Sequence, residues 1–250
     1  MTSAATRHRI SQSLIEAWRS GQRWQVDFSE VELSPAEAYQ IQADVANALD
    51  WFPQGPRAWK VGGYPNPSAA PLPEVLISPA SWQAPFRDTV LIEAELAFRL
   101  GRTPSSPGEI LSCLDTVCVS IELVDTRLVG GLQAPAAWKL ADQSVHGSLV
   151  IGREQPCGPY MRYGSAEWAS QGCSLTVNGK LTRQVAGGHP KGDPLCALPW
   201  LAEHAAAQGI GLRAGDLVTT GAWIVQTAAP GDLIEVAFEG LGSASVRITA

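Results

Sequence analysis

The chain has 250 residues, 45% of them hydrophobic and 17% charged, with a formal net charge of -6. That length suits one large domain, or a main domain with a smaller cap, and can bury a substantial core without staples. The negative balance, with no block of Lys or Arg, excludes a nucleic-acid or anionic-membrane surface and leaves a small molecule as the expected partner.

At the start, Arg7, His8 and Arg9 are followed by Ser, Gln, Glu and Arg scattered among the apolar positions, so a signal peptide is not expected. No run approaches the roughly 20 apolar residues of a membrane span, and a soluble cytoplasmic protein is the expectation. Ile10, Leu14, Ile15 and Trp18 recur on one helical face, with Gly21 as the stop. Ser34-Pro35-Ala36-Glu37 is a capping box with proline at the first helical position, and Ala38, Ile41, Val45 and Leu49 continue one stripe of a helix of about four turns. From Pro53 to Pro85, Pro, Gly, Ser and Ala mark irregular chain around a short strand, Ala58 to Gly62. Lys60 lies inside that strand, where a lysine either snorkels to the surface or is buried with a partner.

Leu91 to Phe98 alternates strictly. Glu93 and Glu95 fall on one face, and Ile92, Ala94, Leu96 and Phe98 on the other. Ser106-Pro107-Gly108-Glu109 reads as a second capping box opening a short helix through Leu111 and Leu114. In the next strand, Val117 to Asp125, an isolated Glu122 interrupts an apolar, β-branched run. A lone buried carboxylate is costly unless it is paired, protonated or bound to a cation. Three carboxylates from two strands, with no matching cysteine or histidine cluster, point to a hard, oxygen-seeking ion such as Mg²⁺.

Beyond a loop at Thr126-Arg127 and Gly130-Gly131, Pro135 to Leu140 reads as a helical turn. The last third is strand-rich: Leu149 to Gly152, Gly172 to Val177 with an Asn178-Gly179 turn, Asp216 to Thr220, and Asp232 to Phe238. One helix interrupts it, from Asp193-Pro194 to Gly209. Helices first and strands after point to α+β, and no GxGxxG or GxxxxGK[ST] register supports a nucleotide fold. The five cysteines form no CxxC pair and read as small core hydrophobes, and most of the nine tryptophans as packing. His146 lies nearest the expected pocket loop, although a lone loop histidine is more often a surface or structural group; His189 and His204 read as peripheral.

Together, Ala38 to Gln42, Trp59 to Gly62, Ile92 to Phe98, Ile121 to Arg127, Ala141 to Ser144 with Gly147, Val177 to Gly179, Asp193 to Ala202 and Leu212 to Gly221 resemble the hydratase/decarboxylase branch of the fumarylacetoacetate hydrolase superfamily, nearly end to end and in order. The resemblance implies a mixed β-roll over 58–250 with an N-terminal helical portion over 1–57. It implies that Glu93, Glu95 and Glu122 hold Mg²⁺ or Mn²⁺, that Lys60 lies beside the substrate, and that Asp142, Gln143 and Ser144 border the same pocket. One departure matters: between the lysine strand and the first metal strand this chain has a compressed loop, Tyr64 to Glu74, in which Glu74 is the only carboxylate and the candidate for the acid the hydratases usually carry there. The implied activity is metal-dependent hydration of a 2-oxopent-4-enoate-like acid to a 4-hydroxy-2-oxo acid. The alternatives are decarboxylation of a 4-oxalocrotonate-like acid, acylpyruvate-type carbon–carbon hydrolysis, or a non-catalytic binding subunit. The family also implies a homo-oligomer.

Overall fold

A computed structural model describes residues 2–63, 65–86 and 90–250. Tyr64, at the head of the compressed loop, lies outside the described residues. Two helices open the chain, α1 (Ala4–Ser20) and α2 (Pro35–Ala48). Gly21 closes α1 at φ 65°, its N–H donating to Ala17 O, and the Ser34/Glu37 box forms at α2 as its spacing predicts. The short α3 (Ala136–Ala141) joins them in a helical core where Ile10, Leu14, Ile41 and Val45 meet Leu128, Trp138 and Leu140. Further along come α4 (Ser165–Ser170) and α5 (Leu198–Ala207).

The strands are β1 (Ala58–Gly62), β2 (Ser68–Pro71), β3 (Val75–Ile77), β4 (Ala80–Gln83), β5 (Val90–Leu100), β6 (Leu114–Val124), β7 (His146–Ile151), β8 (Gln155–Pro156), β9 (Gly172–Val177), β10 (Lys180–Ala186), β11 (Leu217–Thr219), β12 (Ile224–Ala228), β13 (Leu233–Phe238) and β14 (Gly242–Thr249). One sheet runs β2-β1-β11-β5-β6-β7-β3, with β12 also on β5 and β8 also on β6; the other runs β10-β9-β13-β14-β4. Parallel and antiparallel pairs coexist, so the α+β expectation holds. The long β5–β6 pair is the backbone of the molecule. Ile92, Ala94, Leu96 and Phe98, with Ile121 and Leu123, turn into a core shared with Ile234, Val236 and Val246 of the second sheet. Glu93, Glu95 and Glu122 are thereby left on the opposite face.

Two expectations are corrected. The second capping box does not form: Ser106 makes no side-chain cap, because Glu109 turns to the Ser105 N–H (3.4 Å) and to Arg102 (3.7 Å), and the segment Pro107–Cys113 is a 3₁₀ turn. The proline-rich stretch from 68 to 83 also carries three short strands. β3 and β4 lie at sheet edges, in parallel pairing with β7 and β14, and three or four residues are too few for alternation to announce them.

Candidate metal centre and active site

Across the β5–β6 ladder Glu93 stands directly opposite Glu122, and Glu95 opposite Ser120. Like charges so placed repel. One carboxylate oxygen from each of Glu93, Glu95 and Glu122 lies within 4.8 Å of the others. Glu95 and Glu122 are 2% and 0% exposed, and Glu93 is half-buried.

On the other side of β5 the ladder is interrupted at this point. β11 ends with Thr219 opposite Ala97, and β12 resumes with Ile224 opposite Ala94. The chain between them turns at Gly221, whose φ of 110° suits glycine and whose N–H donates to Glu95 Oε2 at 3.1 Å. The Thr219 hydroxyl donates to the same oxygen. Burial, then the charges of Glu122 and Glu93, raise the Glu95 carboxyl well above its ordinary value, and burial raises Glu93. Glu122 Oε2 is buried with no hydrogen-bond partner among the described residues. Three crowded, desolvated carboxylates, one with an unpartnered oxygen, fit an oxygen-seeking divalent cation such as Mg²⁺ or Mn²⁺.

Lys60 reaches this face because β1 runs parallel to β11 with Lys60 opposite Thr219. Its Nζ donates to Glu122 Oε1 and, at 3.2 Å, to the Ser144 carbonyl. Burial pulls the lysine pKa down, but the charges of Glu122 and Glu93 outweigh it and raise it. Burial likewise pushes Glu122 up, and Lys60 and His146 overcome that and hold it low. His146, fully buried, places Nδ1 3.2 Å from Glu122 Oε1; the carboxylate can only accept, so Nδ1 carries the proton. Burial lowers the histidine pKa, consistent with a neutral ring.

The Ser144 carbonyl is aimed by unusual backbone. Gln143, Ser144 and Val145 have φ of 51°, 52° and 54°, three consecutive left-handed residues without a glycine. Left-handed backbone costs about 1–2 kcal/mol per such residue, so the surroundings must enforce it. Arg127 does much of this. Its Nε donates to Asp142 Oδ1 (2.6 Å), Nη2 to the Asp142 carbonyl (2.7 Å) and Nη1 to the His146 carbonyl (2.6 Å), bracketing the turn from both ends. Thr126 Oγ1 and the Arg127 N–H complete the Asp142 carboxylate at 2.6 and 3.0 Å.

The expected pocket loop therefore divides. Ser144 lines the cavity, whereas Asp142 is 1% exposed and committed to Arg127, and Gln143 donates to the Pro71 carbonyl at 2.7 Å. By position Asp142 and Gln143 hold the turn and do not line the cavity. Glu74 is not brought to the cavity either: it is exposed ahead of β3, which is drawn to the sheet edge by pairing with β7. The cavity itself, about 680 Å³, joins Lys60, Glu93 and Glu95 to His189 and to two residues that no sequence pattern singled out, Lys139 and Lys191. His189, read from sequence as peripheral, is 8% exposed and bonds the Thr220 carbonyl through Nε2 at 2.9 Å.

The fumarylacetoacetate (FAA) hydrolase C-terminal family profile matches residues 54–249. A 2-hydroxyhexa-2,4-dienoate hydratase of Comamonas testosteroni is 28% identical over 168 residues, 63% of this chain and 59% of that protein. A 2-keto-4-pentenoate hydratase of Paraburkholderia xenovorans is 31% identical over 163 residues, 61% of this chain and 56% of that one. The match thus spans under two thirds of the length of these curated relatives. A solved 4-oxalocrotonate decarboxylase from Pseudomonas putida G7, complexed with magnesium and adipate, superposes with a TM-score of 0.83 at 20% identity over 99% of both chains, which establishes the fold.

Proposed function

The chain belongs to the fumarylacetoacetate hydrolase family, and from that premise we propose that it is a divalent-metal-dependent lyase acting on a short 2-oxo acid or its dienol, with hydration to a 4-hydroxy-2-oxo acid as the reaction. The observation that carries the reading is the convergence of one carboxylate oxygen each from Glu93, Glu95 and Glu122 within 4.8 Å, beside Lys60 and at the wall of a cavity that Lys60, Glu93 and Glu95 line. The names of the hydratase relatives support the reaction class.

Glu93, Glu95 and Glu122 would hold Mg²⁺ or Mn²⁺, and the ion would supply Lewis-acid polarisation of the substrate's C1 carboxylate and C2 oxygen. The chain's own contribution begins with Lys60. Of its three ammonium protons, one goes to Glu122 and one to the Ser144 carbonyl, which leaves one to donate to a substrate oxygen in the cavity. Its charge also offsets part of the carboxylate excess. The Thr219 and Gly221 bonds fix one Glu95 oxygen and leave the other for a ligand. The apolar walls, among them Val61, Val145 and Trp200, keep water from the reacting end.

Decarboxylation is a second reading favoured by a specific observation. Among the described residues, the carboxylates that line the cavity, Glu93 and Glu95, both belong to the metal face, and no further acid lines it to assist water addition. The helical portion over 1–57, the β-roll over 58–250, a cytoplasmic location and homo-oligomeric assembly are parts of the same reading. Among the described residues no helix is long and apolar enough to cross a membrane, and exposed Ile77, Leu181 and Ile210 are compatible with subunit contacts.

The test is to strip the protein of metal and supply 2-hydroxypenta-2,4-dienoate or 4-oxalocrotonate with and without Mg²⁺, identifying products by mass spectrometry. Metal-dependent gain of water is expected. Loss of CO₂ would select the second reading, and no product in either arm, or unchanged metal affinity and turnover in Glu93→Gln and Glu122→Gln, would sink the assignment.

A further inference from the structure

We propose that His146 is a positioning residue of the metal centre: by holding one oxygen of Glu122 it leaves that carboxylate a single oxygen for the cation, and so favours Mg²⁺ or Mn²⁺ over the larger Ca²⁺. The inference rests on the metal site of the reading above and concerns the ion, so it holds for either reaction.

The placement of His146 starts in the backbone. Along β6, Glu122 pairs with Leu149 and Leu123 with Ser148, and Val124 then pairs with His146, so Gly147 is an extra residue in β7. Alternation without that bulge would turn His146 away from Glu122; the extra residue brings it onto the carboxylate face. Glycine is needed there, because a Cβ at position 147 would stand 2.6 Å from the Leu123 carbonyl oxygen. The neighbouring backbone is pinned as well: the Asp125 N–H donates to the Val145 carbonyl at 2.9 Å, and Arg127 Nη1 donates to the His146 carbonyl at 2.6 Å.

His146 is fully buried and does not line the cavity, so it acts through Glu122 and not on a substrate. Its Nδ1–H donates to Glu122 Oε1 at 3.2 Å, the oxygen that also accepts from Lys60 Nζ. The opposite tautomer would set a lone pair against the carboxylate and bury an Nε2–H that has no acceptor among the described residues. Two donors from different strands, β1 and β7, thus fix Oε1, while Oε2 is buried with no partner among those residues. Glu95 repeats the arrangement, since Thr219 and Gly221 both donate to its Oε2. An oxygen whose two lone pairs already accept hydrogen bonds is a poor metal ligand, so Glu122 and Glu95 are each left one oxygen for an ion. Mg²⁺ demands closely defined ligand positions, whereas Ca²⁺ tolerates a looser shell and readily takes both oxygens of a carboxylate. A carboxylate locked at one oxygen therefore suits the smaller ion.

The experiment is calorimetric titration of the full chain with Mg²⁺ and with Ca²⁺, in the wild type, His146→Leu and His146→Asn. Leucine nearly fills the histidine's volume but carries no donor, whereas asparagine leaves space but presents an amide N–H as many bonds from Cβ as Nδ1 is. Loss of the donor in His146→Leu should lower Mg²⁺ affinity about 10- to 100-fold, the range for outer-shell partners of metal ligands, with a smaller fall for Ca²⁺. His146→Asn should recover most of that loss. A packing role predicts the reverse order of the two variants. Urea unfolding in chelator establishes that each variant is folded, and His146→Met stands in for His146→Leu if that form is not. Unchanged Mg²⁺ affinity in His146→Leu, an equal fall in both variants, or Mg²⁺ and Ca²⁺ affinities that fall in step would each overturn the positioning role and leave the metal site standing. If the wild type binds neither ion, the metal site itself fails and the inference falls with it.

Discussion

Arg127 with Asp142, and Lys60 with Glu93, Glu95 and Glu122, are both buried charge clusters, and they meet at His146, whose carbonyl accepts from Arg127 and whose ring touches Glu122. In the first cluster one cation faces one anion, and both Asp142 oxygens are bonded. In the second, three carboxylates face one lysine, and Glu122 Oε2 has no partner among the described residues. A buried charge whose hydrogen bonds are all made can act as a strut. A buried charge left in excess demands a ligand, and that is what separates a site from a scaffold here.

Removing the cation of the first cluster should have the largest effect on stability. Arg127→Ala leaves Asp142 buried and unpaired and releases the left-handed turn at Gln143 to Val145, so a loss of about 3–5 kcal/mol is expected. Urea unfolding, run once in chelator and once in Mg²⁺, measures it. A loss near about 1 kcal/mol, the scale of an exposed pair, would remove the distinction between the clusters.

The second cluster should respond differently. Glu95 is raised well above its ordinary value by burial and by its carboxylate neighbours, so neutralising it relieves repulsion in the metal-free protein. Glu95→Gln should leave metal-free stability equal or higher at pH 7, while Mg²⁺ affinity falls about 100-fold, or about 2.8 kcal/mol. Unfolding without metal and calorimetric Mg²⁺ titration report the two halves independently. If Glu95→Gln instead destabilised the metal-free chain and spared Mg²⁺ binding, Glu95 would belong with Asp142 as a strut.

The two clusters were unequally visible in the sequence, for a physical reason. Glu93 and Glu95 announce themselves through strand alternation, and Glu122 through being one carboxylate in an apolar run; both signals are local, and the β5–β6 register brings them together. The partnership of Asp142 with Arg127 spans a loop, and no local pattern distinguishes a carboxylate turned inward to a guanidinium from one turned toward a substrate. The same holds for Gln143, whose amide is claimed by Pro71, and for Glu74, displaced by an edge strand too short to be read. Lys139 and Lys191 could not be linked to Lys60 from sequence, since only the folding of α3 and the β10–α5 loop onto one cavity does so.

A third pair, on the same face of β5, calibrates the comparison from its weak end. Two residues beyond Ala97, Arg99 donates from Nε to both Glu154 oxygens at 3.0 and 2.9 Å and from Nη2 at 2.6 Å, yet its side chain and that of Glu154 remain 32% and 28% exposed. Hydrogen bonding from Arg99 holds the Glu154 pKa below its ordinary value, against a partial burial that raises it. A depressed folded pKa means a contribution fully present above the unfolded value, about 4.3, and lost as pH falls through the lower folded one. Solvent screening limits its size, so Glu154→Gln should cost about 1 kcal/mol or less at pH 7. That cost should shrink in 1 M salt, where the screening length is about 3 Å, and should vanish once acid has protonated Glu154 in the wild type. Urea midpoints of the two proteins across pH 2 to 7 test it, on the order of the carboxylate range. A cost that matched Arg127→Ala and ignored both salt and pH would mean that geometry alone, without burial, makes a strut, and the contrast between satisfied and excess buried charge would have to be rebuilt on hydrogen-bond count.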